Sequence, residues 1–382
     1  MKTILITGGN FINKGAESML MATVDGIRKN FPGYEPVLLD LFPTQTEENK
    51  SGSDFRIVNM HVRTLFRIAF PFLKLVFKPK PISDGESEIK DLFATASAVF
   101  DISGYGLSSH NQPLLWSVAY LLPFRLAREN RVPVWLLPQS FGPFNFHGLR
   151  WILFKLWGQS LLNYPEIAFA REPEGLKALK EVRRKPCLLS MDVVLHSDLK
   201  VRPQQNHEVI VIPNRQLFNF SDPDKVVCLF SDIITGFEEK GFRVRMVRHS
   251  RDDQDLCRKI VEKHNQNSLF FNDSDDTIET LHEVVSRGQI VVSARYHGAI
   301  HALKYRKPVL IIGWAEKYRY LAKAFGIEET LIDLQNESLD NIDVKSFVEV
   351  IVSNRELFLG RISEKMEEVL RNNFWSNIEL EP

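Results

Sequence analysis

The residues best suited to chemistry lie in the C-terminal third of the chain, where a cation and an imidazole follow an apolar run. Arg295 and His297 come directly after the strand-like run Gln289–Ser293, and Lys317 follows the next apolar run. Side chains two residues apart leave a strand end on the same side, and open α/β sheets bind their ligands at the carboxyl ends of strands. This pattern predicts a site for an anionic substrate that needs a proton.

Backbone donors and a second guanidinium are expected to strengthen the same site. Gly298 lies at the predicted start of a helix, where unpaired N–H groups bind phosphate or carboxylate. Arg215 follows another predicted strand, and two guanidinium groups neutralise a phosphate and a carboxylate better than one. His249 follows a further strand and is a candidate contact. The alternative is that Arg295 caps a carbonyl and that His297 is an ordinary buried imidazole.

Apolar runs of strand length alternate with longer amphipathic segments in both halves, a pattern typical of mostly parallel sheets covered by helices. The ten predicted strands are Thr3–Thr7, Val37–Leu39, Ala98–Ile102, Val132–Leu137, Ile167–Ala170, Val209–Ile212, Phe242–Val247, Ser268–Phe271, Gln289–Ser293 and Val309–Ile312. The polar stretch 197–207 separates an N-terminal domain, residues 1–200, from a C-terminal domain, residues 207–340. We expect two similar α/β domains that face each other across a cleft.

A helical segment, residues 341–382, is expected to pack back on the body of the protein. Residues 344–373 have the pattern of a long charged amphipathic helix, with Gly360 as a candidate break.

Composition limits the class of protein. The chain has 382 residues, of which 44% are hydrophobic, enough for two globular domains. Its 48 basic and 48 acidic residues balance, so no net field attracts nucleic acid. Three widely spaced cysteines without a CxxC pair favour a reducing cytoplasm over a disulfide framework. We expect no signal peptide, no transmembrane span and no metal site, because Asp252, Asp253 and Asp255 are better explained as a helix start.

Residues 61–81 stand out as rich in aromatic, aliphatic and basic side chains. On a helix that advances about 100° per residue, Arg63, Arg67, Lys74 and Lys78 would fall within an arc of roughly 60°, although Pro71 would kink such a helix. Such a helix could lie in a membrane interface with its basic edge toward anionic headgroups. The alternative is a core helix whose cations reach the surface on their aliphatic stems. The aromatic-rich segment 146–162 could share this surface or belong to the core.

Glycine-rich loops follow three predicted strands of the N-terminal half. The first opens with Gly8 but matches neither G-x-G-x-x-G nor G-x-x-x-x-G-K-S/T, which argues against a dinucleotide site or a P-loop. Asn13, Gly15 and Glu17 could instead present amides and a carboxylate to the hydroxyls of a polar ligand. The alternative is a turn in which asparagine side chains satisfy the backbone.

The other two loops contain Gly104 with Tyr105, after the third predicted strand, and Gln139, after the fourth. Loops that meet at the carboxyl ends of parallel strands make a floor suited to a sugar. The third loop could equally be a rigid turn without ligand contacts.

Together these motifs resemble the polysaccharide pyruvyl transferase family over nearly the whole chain. The resemblance is carried by Asn13-Lys-Gly15-Ala-Glu17, Ser103-Gly104-Tyr105-Gly106, Gln139–Pro143, Phe169-Ala-Arg171-Glu172, Asp192, and Ser293-Ala-Arg295-Tyr-His297 with Lys317. It implies a GT-B-like fold of two Rossmann-like domains. It also implies transfer of the pyruvyl group of phosphoenolpyruvate to sugar hydroxyls of a cell-surface polysaccharide or its lipid-linked precursor. Phosphoenolpyruvate is then the donor substrate, and no other cofactor is expected.

The resemblance implies donor contacts at Arg215, Arg295 and His297, and we expect His297 to supply the proton. Lys317 would bind phosphate or brace its loop. Two departures, Ala16 where the family commonly has aspartate and Tyr105 within its glycine run, lie on the acceptor side and leave the acceptor open. The alternatives are a nucleotide-sugar-dependent glycosyltransferase of the same architecture and a non-catalytic scaffold of a polysaccharide assembly complex. We expect a cytoplasmic protein, peripheral on the inner face of the membrane if 61–81 binds lipid.

Overall fold

The computed structural model describes residues 2–41, 50, 52–78, 85–110, 113–198, 206–264, 269–271 and 277–380. The chain divides into two units. The first unit comprises Met1–Ile12, Ala16–Ser197 and Asn373–Pro382, and the second comprises Asn13–Gly15 and Asp198–Asn372. Most of the predicted boundary stretch 197–207 lies outside the described residues. Three residues near the start of the chain thus belong to the second unit, and the last ten belong to the first.

The first unit is built on seven parallel strands. They are β1 (Lys2–Thr7), β2 (Tyr34–Asp40), β3 (Arg56–Asn59), β4 (Ala98–Asp101), β5 (Val134–Gln139), β6 (Ile167–Ala170) and β7 (Cys187–Leu189), in the order β3-β2-β1-β4-β5-β6-β7. Its helices are α1 (Lys14–Asn30), α2 (Val62–Ala69), α3 (Glu86–Thr95), α4 (Leu114–Glu129), α5 (Gly148–Leu153), α6 (Gln159–Leu162) and α7 (Pro173–Val182). A π-helical turn, Phe154–Gly158, joins α5 to α6. Every residue of β4 and β5 is buried, as expected for central parallel strands.

The second unit is built on six parallel strands. They are β8 (Glu208–Ile212), β9 (Arg243–Met246), β10 (Leu269–Phe271), β11 (Ile290–Ser293), β12 (Val309–Gly313) and β13 (Leu331–Asp333), in the order β10-β9-β8-β11-β12-β13. Its helices are α8 (Pro223–Glu239), α9 (Gln254–His264), α10 (Ile278–Arg287), α11 (Tyr296–Lys304), α12 (Glu316–Phe325), α13 (Val344–Ser353) and α14 (Arg355–Arg371). The strand order reverses between β8 and β11, which is where open α/β sheets bind ligands.

The predicted fold class, α/β with mostly parallel sheets, is confirmed in both units, and all ten predicted strands are present. Three strands were missed: β3, β7 and β13. Each has three or four residues and lies at the edge of its sheet. Edge strands are short and partly exposed, so they lack the long apolar run that marks a central strand.

The helix predicted over 61–81, with a kink at Pro71, is interrupted completely at that proline in the described part of the segment. Helix α2 ends at Ala69, and a 3-10 helix spans Pro71–Leu75, because a proline cannot donate the next helical hydrogen bond. Arg67 and Lys74 both pair with Glu86, at 2.6 and 2.9 Å, instead of forming a basic edge. Residues 79–81 lie outside the described residues. Helix α2 therefore belongs to the core of the first unit, whereas the 3-10 helix buries none of its side chains.

The C-terminal segment contributes to both units. The helical pattern 344–373 breaks at Asn354, between α13 and α14, and not at Gly360. Beyond α14, Phe374 packs on Phe169 with ring centroids 5.3 Å apart, and Trp375 packs on Phe100 at 6.0 Å. The end of the chain therefore completes the aromatic core of the first unit. Within the described residues, no helix combines the length and apolar character needed to cross a bilayer.

Candidate functional site

The second unit gathers a cation, a carboxylate and two imidazoles at the carboxyl ends of β8, β9 and β11. Arg295 precedes α11, and Asp253 lies in a short 3-10 turn before α9. The Nε and Nη2 groups of Arg295 donate to the two carboxylate oxygens of Asp253, at 2.9 and 2.5 Å. The backbone N–H of Arg215 donates to the same carboxylate at 3.0 Å. Asp253 thus ties the loop after β8 to the loop after β11.

Asp253 was predicted only to begin a helix, but its pairing with Arg295 gives it a second role. Its side chain is fully buried, and burial raises the pKa of its carboxyl group while Arg295 and two backbone N–H groups lower it. The guanidinium of Arg295 remains partly exposed, and its Nη1 has no partner among the described residues. Asp253 therefore fixes the plane of the guanidinium and leaves one edge for an anion.

His297 lies in the first turn of α11 and is packed against the segment Asn13–Gly15 of the same unit. A Cβ atom placed on Gly15 would lie 2.5 Å from Nδ1 of His297, so any other residue there would force the imidazole to move. Lys14 donates its N–H to the carbonyl of His249 at 3.3 Å, and Asn13 forms an antiparallel bridge with Ser250. Gly15, predicted to contact an acceptor, thus lies against the predicted proton donor, whereas Asn13 pairs with Ser250, next to His249 in the chain.

His249 is buried beside this cluster, and neither of its ring nitrogens has a hydrogen-bond partner among the described residues. Burial lowers the pKa of His249 well below its usual value, and the charges of Arg295, His297 and Lys14 lower it further. Such a buried polar group without a protein partner calls for a partner such as an ordered water or a ligand. Behind it lies a row of buried groups, His301, His282 and Tyr305, in which His282 Nδ1 and the Tyr305 hydroxyl are 2.7 Å apart.

The remaining predicted donor residues are placed differently. The ammonium of Lys317 lies 5.0 Å from the ring centre of Tyr296 and 5.5 Å from that of Trp314, within range of cation–π attraction. A Cβ atom placed on Gly298 would lie 2.3 Å from the hydroxyl oxygen of Ser293. The absence of a side chain at Gly298 therefore lets the first turn of α11 pack closely against the end of β11. Arg215 contributes its backbone to the cluster, and its side chain is exposed.

One buried arginine in the loop after β6 joins the loops after β4, β5 and β7 in the first unit, a role that the sequence analysis did not single out. Arg171 donates to Asp192 at 2.5 Å, to the carbonyl of Gly104 at 2.6 Å and to the hydroxyl of Ser140 at 2.9 Å. Ser140 in turn donates to Glu172 at 2.8 Å. These bonds explain how the glycine loops keep one conformation.

The predicted acceptor residues of the first unit occupy varied positions. Gln139 is fully buried: its amide N–H group donates to Asp101 at 3.0 Å, and its carbonyl accepts from Tyr120 at 3.3 Å. Its side chain therefore supports the loop. Glu17 is buried in α1, whereas Tyr105 is about half exposed. Gly104 adopts φ +68°, a conformation that favours glycine.

Asp101 was also missed. This buried carboxylate accepts hydrogen bonds from Thr7 at 2.8 Å and from Ser103 at 3.0 Å, and burial raises its pKa despite these bonds. It joins the ends of β1 and β4, where the strand order of the first sheet reverses. Among the described residues, no group of three or more histidine, cysteine, aspartate or glutamate side chains is arranged to hold a metal ion.

Comparison with known proteins assigns the family. The sequence profile of the polysaccharide pyruvyl transferase family matches residues 13–316, most of the chain. The chain belongs to the polysaccharide pyruvyl transferase family. The match includes the Arg295 and His297 cluster, its partner Asp253, and the loops that Arg171 joins. A search among curated proteins found no significant match.

Solved structures show that this pyruvyl transferase family member has a GT-B-like fold. It is similar to a UDP-GlcNAc 2-epimerase from Neisseria meningitidis bound to UDP-GlcNAc, with a TM-score of 0.60 and 13% identity over 98% of this chain and 100% of the other. It is also similar to the spinosyn rhamnosyltransferase SpnG complexed with thymidine diphosphate, with a TM-score of 0.56 and 13% identity over 97% and 96% of the two chains. At these identities the likeness concerns the fold alone.

The contact between Gly15 and His297 makes a direct prediction. Gly15→Ala would push the imidazole aside, and a displacement of about 1 Å at a reacting group can cost roughly 100-fold in rate. We expect a reaction rate that depends on His297 to fall by about that factor, with little change in thermal stability. The matched control is Gly360→Ala on α14, where a Cβ would meet nothing within 4 Å. Equal activity of Gly15→Ala and wild type would show that the imidazole position does not matter.

Proposed function

We propose that this family member transfers the pyruvyl group of phosphoenolpyruvate to hydroxyls of a sugar. The observation that carries the proposal is the arrangement of Arg295, held in place by Asp253, beside His297 at the N-terminus of α11. A guanidinium fixed in one plane suits a carboxylate or phosphate, and an imidazole is the usual side chain for moving a proton near neutral pH. The family assignment supports the same reaction.

The donor would be held by groups that are already charged or lack a partner. The exposed edge of Arg295 and the first N–H groups of α11 would take one anionic group. His249, buried and without a hydrogen-bond partner among the described residues, would bond to another. Burial, together with positive neighbours, lowers the pKa of His249. Arg295 would attract an arriving dianion, and the negative charge beside His249 would then raise its pKa.

The chemistry requires protonation of the enol. In its protonated form, His297 would donate a proton to C3 of phosphoenolpyruvate, which leaves C2 electrophilic. A sugar hydroxyl would then form a bond to C2 and return a proton to the neutral imidazole of His297. A second hydroxyl would form another bond to C2 as the bond between C2 and the phosphate oxygen breaks, its proton would leave with the phosphate, and a cyclic ketal would result. Arg295 would stabilise the phosphate as it leaves.

The acceptor is proposed to be a sugar of a cell-surface polysaccharide or of its lipid-linked precursor. Tyr105 is a candidate acceptor contact because it is exposed on a loop fixed by the bonds of Arg171. Gly15 is a candidate because it lies against His297, and Asn13 is a candidate because it is two residues before Gly15 and pairs with Ser250. Gln139, whose polar atoms are engaged within the protein, would act by supporting its loop.

The test begins with ligand stabilisation. Phosphoenolpyruvate is expected to raise the thermal midpoint of the purified chain. Arg295→Lys should reduce this shift, because an ammonium group cannot bind two oxygens of one anion in the bidentate way that a planar guanidinium does. Incubation with phosphoenolpyruvate and galactose- or mannose-containing acceptors should then release phosphate and form a ketal product. Absence of both stabilisation and phosphate release would contradict the proposal.

A second candidate is favoured by the structural neighbours, one of which is bound to UDP-GlcNAc and another complexed with thymidine diphosphate. The cationic cluster of the second unit would then hold the diphosphate of a nucleotide sugar. Stabilisation by a nucleoside diphosphate, with none by phosphoenolpyruvate, would favour this glycosyltransferase function. The reverse result would favour pyruvyl transfer.

A further inference from the structure

Exposed apolar side chains are concentrated on one part of the first unit. Ten of the 16 large apolar side chains that are most exposed among the described residues fall in three short segments. They are Phe72, Leu75, Val76, Leu115, Trp116, Leu149, Trp151, Ile152, Leu153 and Leu156. Leu75 is 94% exposed and Leu156 is 79% exposed, values that are unusual for leucine in a folded protein. We call these ten residues the apolar surface.

The three segments are neighbours in the fold. Trp157, in the π-helical turn, contacts Phe70 with ring centroids 6.1 Å apart, and Phe70 contacts Phe72 at 5.9 Å. A shallow apolar groove lies between α4 and the segment from α5 to the π-helical turn, and its lining includes Leu114, Leu153 and Trp157. The apolar side chains therefore form a common face and are not scattered singly.

The helical segment 148–162 is apolar on both of its sides. Phe154, Leu161 and Leu162 point into the core, whereas Leu149, Ile152 and Leu156 are exposed. Apolar side chains concentrated on the outer side of a helix, with few polar ones between them, mark a surface that binds a partner or a membrane. Tryptophan is favoured at the boundary between lipid and water, and the apolar surface contains two, Trp116 and Trp151.

Charge identifies the kind of partner. Residues 61–78, 102–128 and 140–165, which carry the apolar surface, contain eight lysines or arginines and no aspartate or glutamate, in a chain whose total charge is zero. Glu86 neutralises Arg67 and Lys74, and Glu129 pairs with Arg125. The other five cations are Arg63, Lys78, Arg128, Arg150 and Lys155. An apolar face with a cationic border matches an anionic bilayer.

We propose that the apolar surface binds the interface of an anionic phospholipid bilayer. The leucines and tryptophans enter the region between headgroups and acyl chains, and the bordering cations contact lipid phosphates. The contacting surface differs from the helix predicted over 61–81, because α2 is buried and the exposed contribution of that segment comes from the 3-10 helix. One side of segment 146–162 packs in the core, and its other side contacts the lipid.

The experiment is flotation of the full chain with vesicles of phosphatidylcholine, with and without phosphatidylglycerol. Wild type is expected to float with the vesicles that contain phosphatidylglycerol. Leu75→Asp/Leu156→Asp should weaken binding by roughly 10–100-fold, since it removes two apolar groups and adds two like charges. Lys78→Gln/Lys155→Gln should weaken binding by roughly tenfold, and only to vesicles with anionic lipid. The control is Phe270→Asp/Leu357→Asp, two half-exposed apolar side chains of the second unit.

Several outcomes would overturn the proposal. Wild type that stays in solution with anionic vesicles would do so, as would aspartate variants that bind as well as wild type. If sedimentation shows a dimer that Leu75→Asp/Leu156→Asp dissociates, and no vesicle binding occurs, a second copy of the chain covers the apolar surface instead. The substituted side chains are exposed, so circular dichroism should show an unchanged fold. The assay needs neither donor nor acceptor, and its result is therefore independent of the proposed reaction.

Discussion

Replacement of His297 by asparagine is expected to reduce kcat/KM for pyruvyl transfer by roughly 10²–10⁴-fold, the range usual for loss of a general acid. Asparagine is no larger than histidine, so the close contact with Gly15 should not disturb the backbone. The amide of the new side chain could donate a hydrogen bond but could not release a proton to carbon. The measurement is phosphate release with phosphoenolpyruvate and a sugar acceptor, each varied in turn while the other is held at saturation.

Binding of the donor should survive the same substitution. Arg295 and Asp253 remain in place in His297→Asn, so phosphoenolpyruvate should still raise the thermal midpoint of the variant. His207→Asn is the matched control, because His207 is exposed and precedes β8, at the opposite end of the strand from the site. Full activity of His297→Asn would remove His297 from the role of proton donor, whereas loss of donor stabilisation would assign it to binding.

Replacement of Arg171 by methionine is expected to lower the free energy of unfolding of the first unit by about 3–5 kcal/mol, the usual cost of removing one member of a buried ion pair. The side chains of Arg171 and Asp192 are almost completely inaccessible to solvent. Methionine would leave Asp192 charged and without its cation, and it would free the carbonyl of Gly104 and the hydroxyl of Ser140. Urea unfolding followed by tryptophan fluorescence is a suitable measurement, since five of the six tryptophans belong to the first unit.

Two variants separate the buried charge from the loss of packing. Arg171→Met/Asp192→Asn should be less destabilised than Arg171→Met, because asparagine removes the uncompensated charge and can still accept from the backbone N–H of Val194. Arg28→Met is the control, because Arg28 forms an ion pair with Asp54 that is exposed to solvent. Loss of this pair should lower the free energy of unfolding by less than about 1 kcal/mol. Equal destabilisation by Arg171→Met and Arg28→Met would mean that the bonds among the loops contribute little.

The two predictions concern different properties. His297 is proposed to touch the reacting atoms, whereas Arg171 acts by holding three loops in one conformation. An Arg171 variant that is folded at low temperature should therefore still bind phosphoenolpyruvate, because Arg295 and Asp253 lie in the second unit.

The amino-acid sequence by itself determined the order of elements and the position of the donor cluster along the chain. Apolar runs in β1, β4, β8 and β11 are almost entirely buried in the structure, so their pattern was unambiguous. Placement of Arg295 and His297 at a strand end followed from the same local pattern, because the carboxyl ends of parallel strands meet at one edge of a sheet.

Only the tertiary structure decided which groups hold these residues. Asp253 is 42 residues before Arg295 in the chain, and Gly15 packs on His297 from the far end of the sequence. Such contacts depend on strand order and on backbone approach within a fraction of an ångström, and neither has a local sequence pattern. The same reason explains why the prediction for segment 61–78 failed in part. Charge spacing suggested one basic helix edge, but the helix ends before Pro71, and Glu86 pairs with two of the cations.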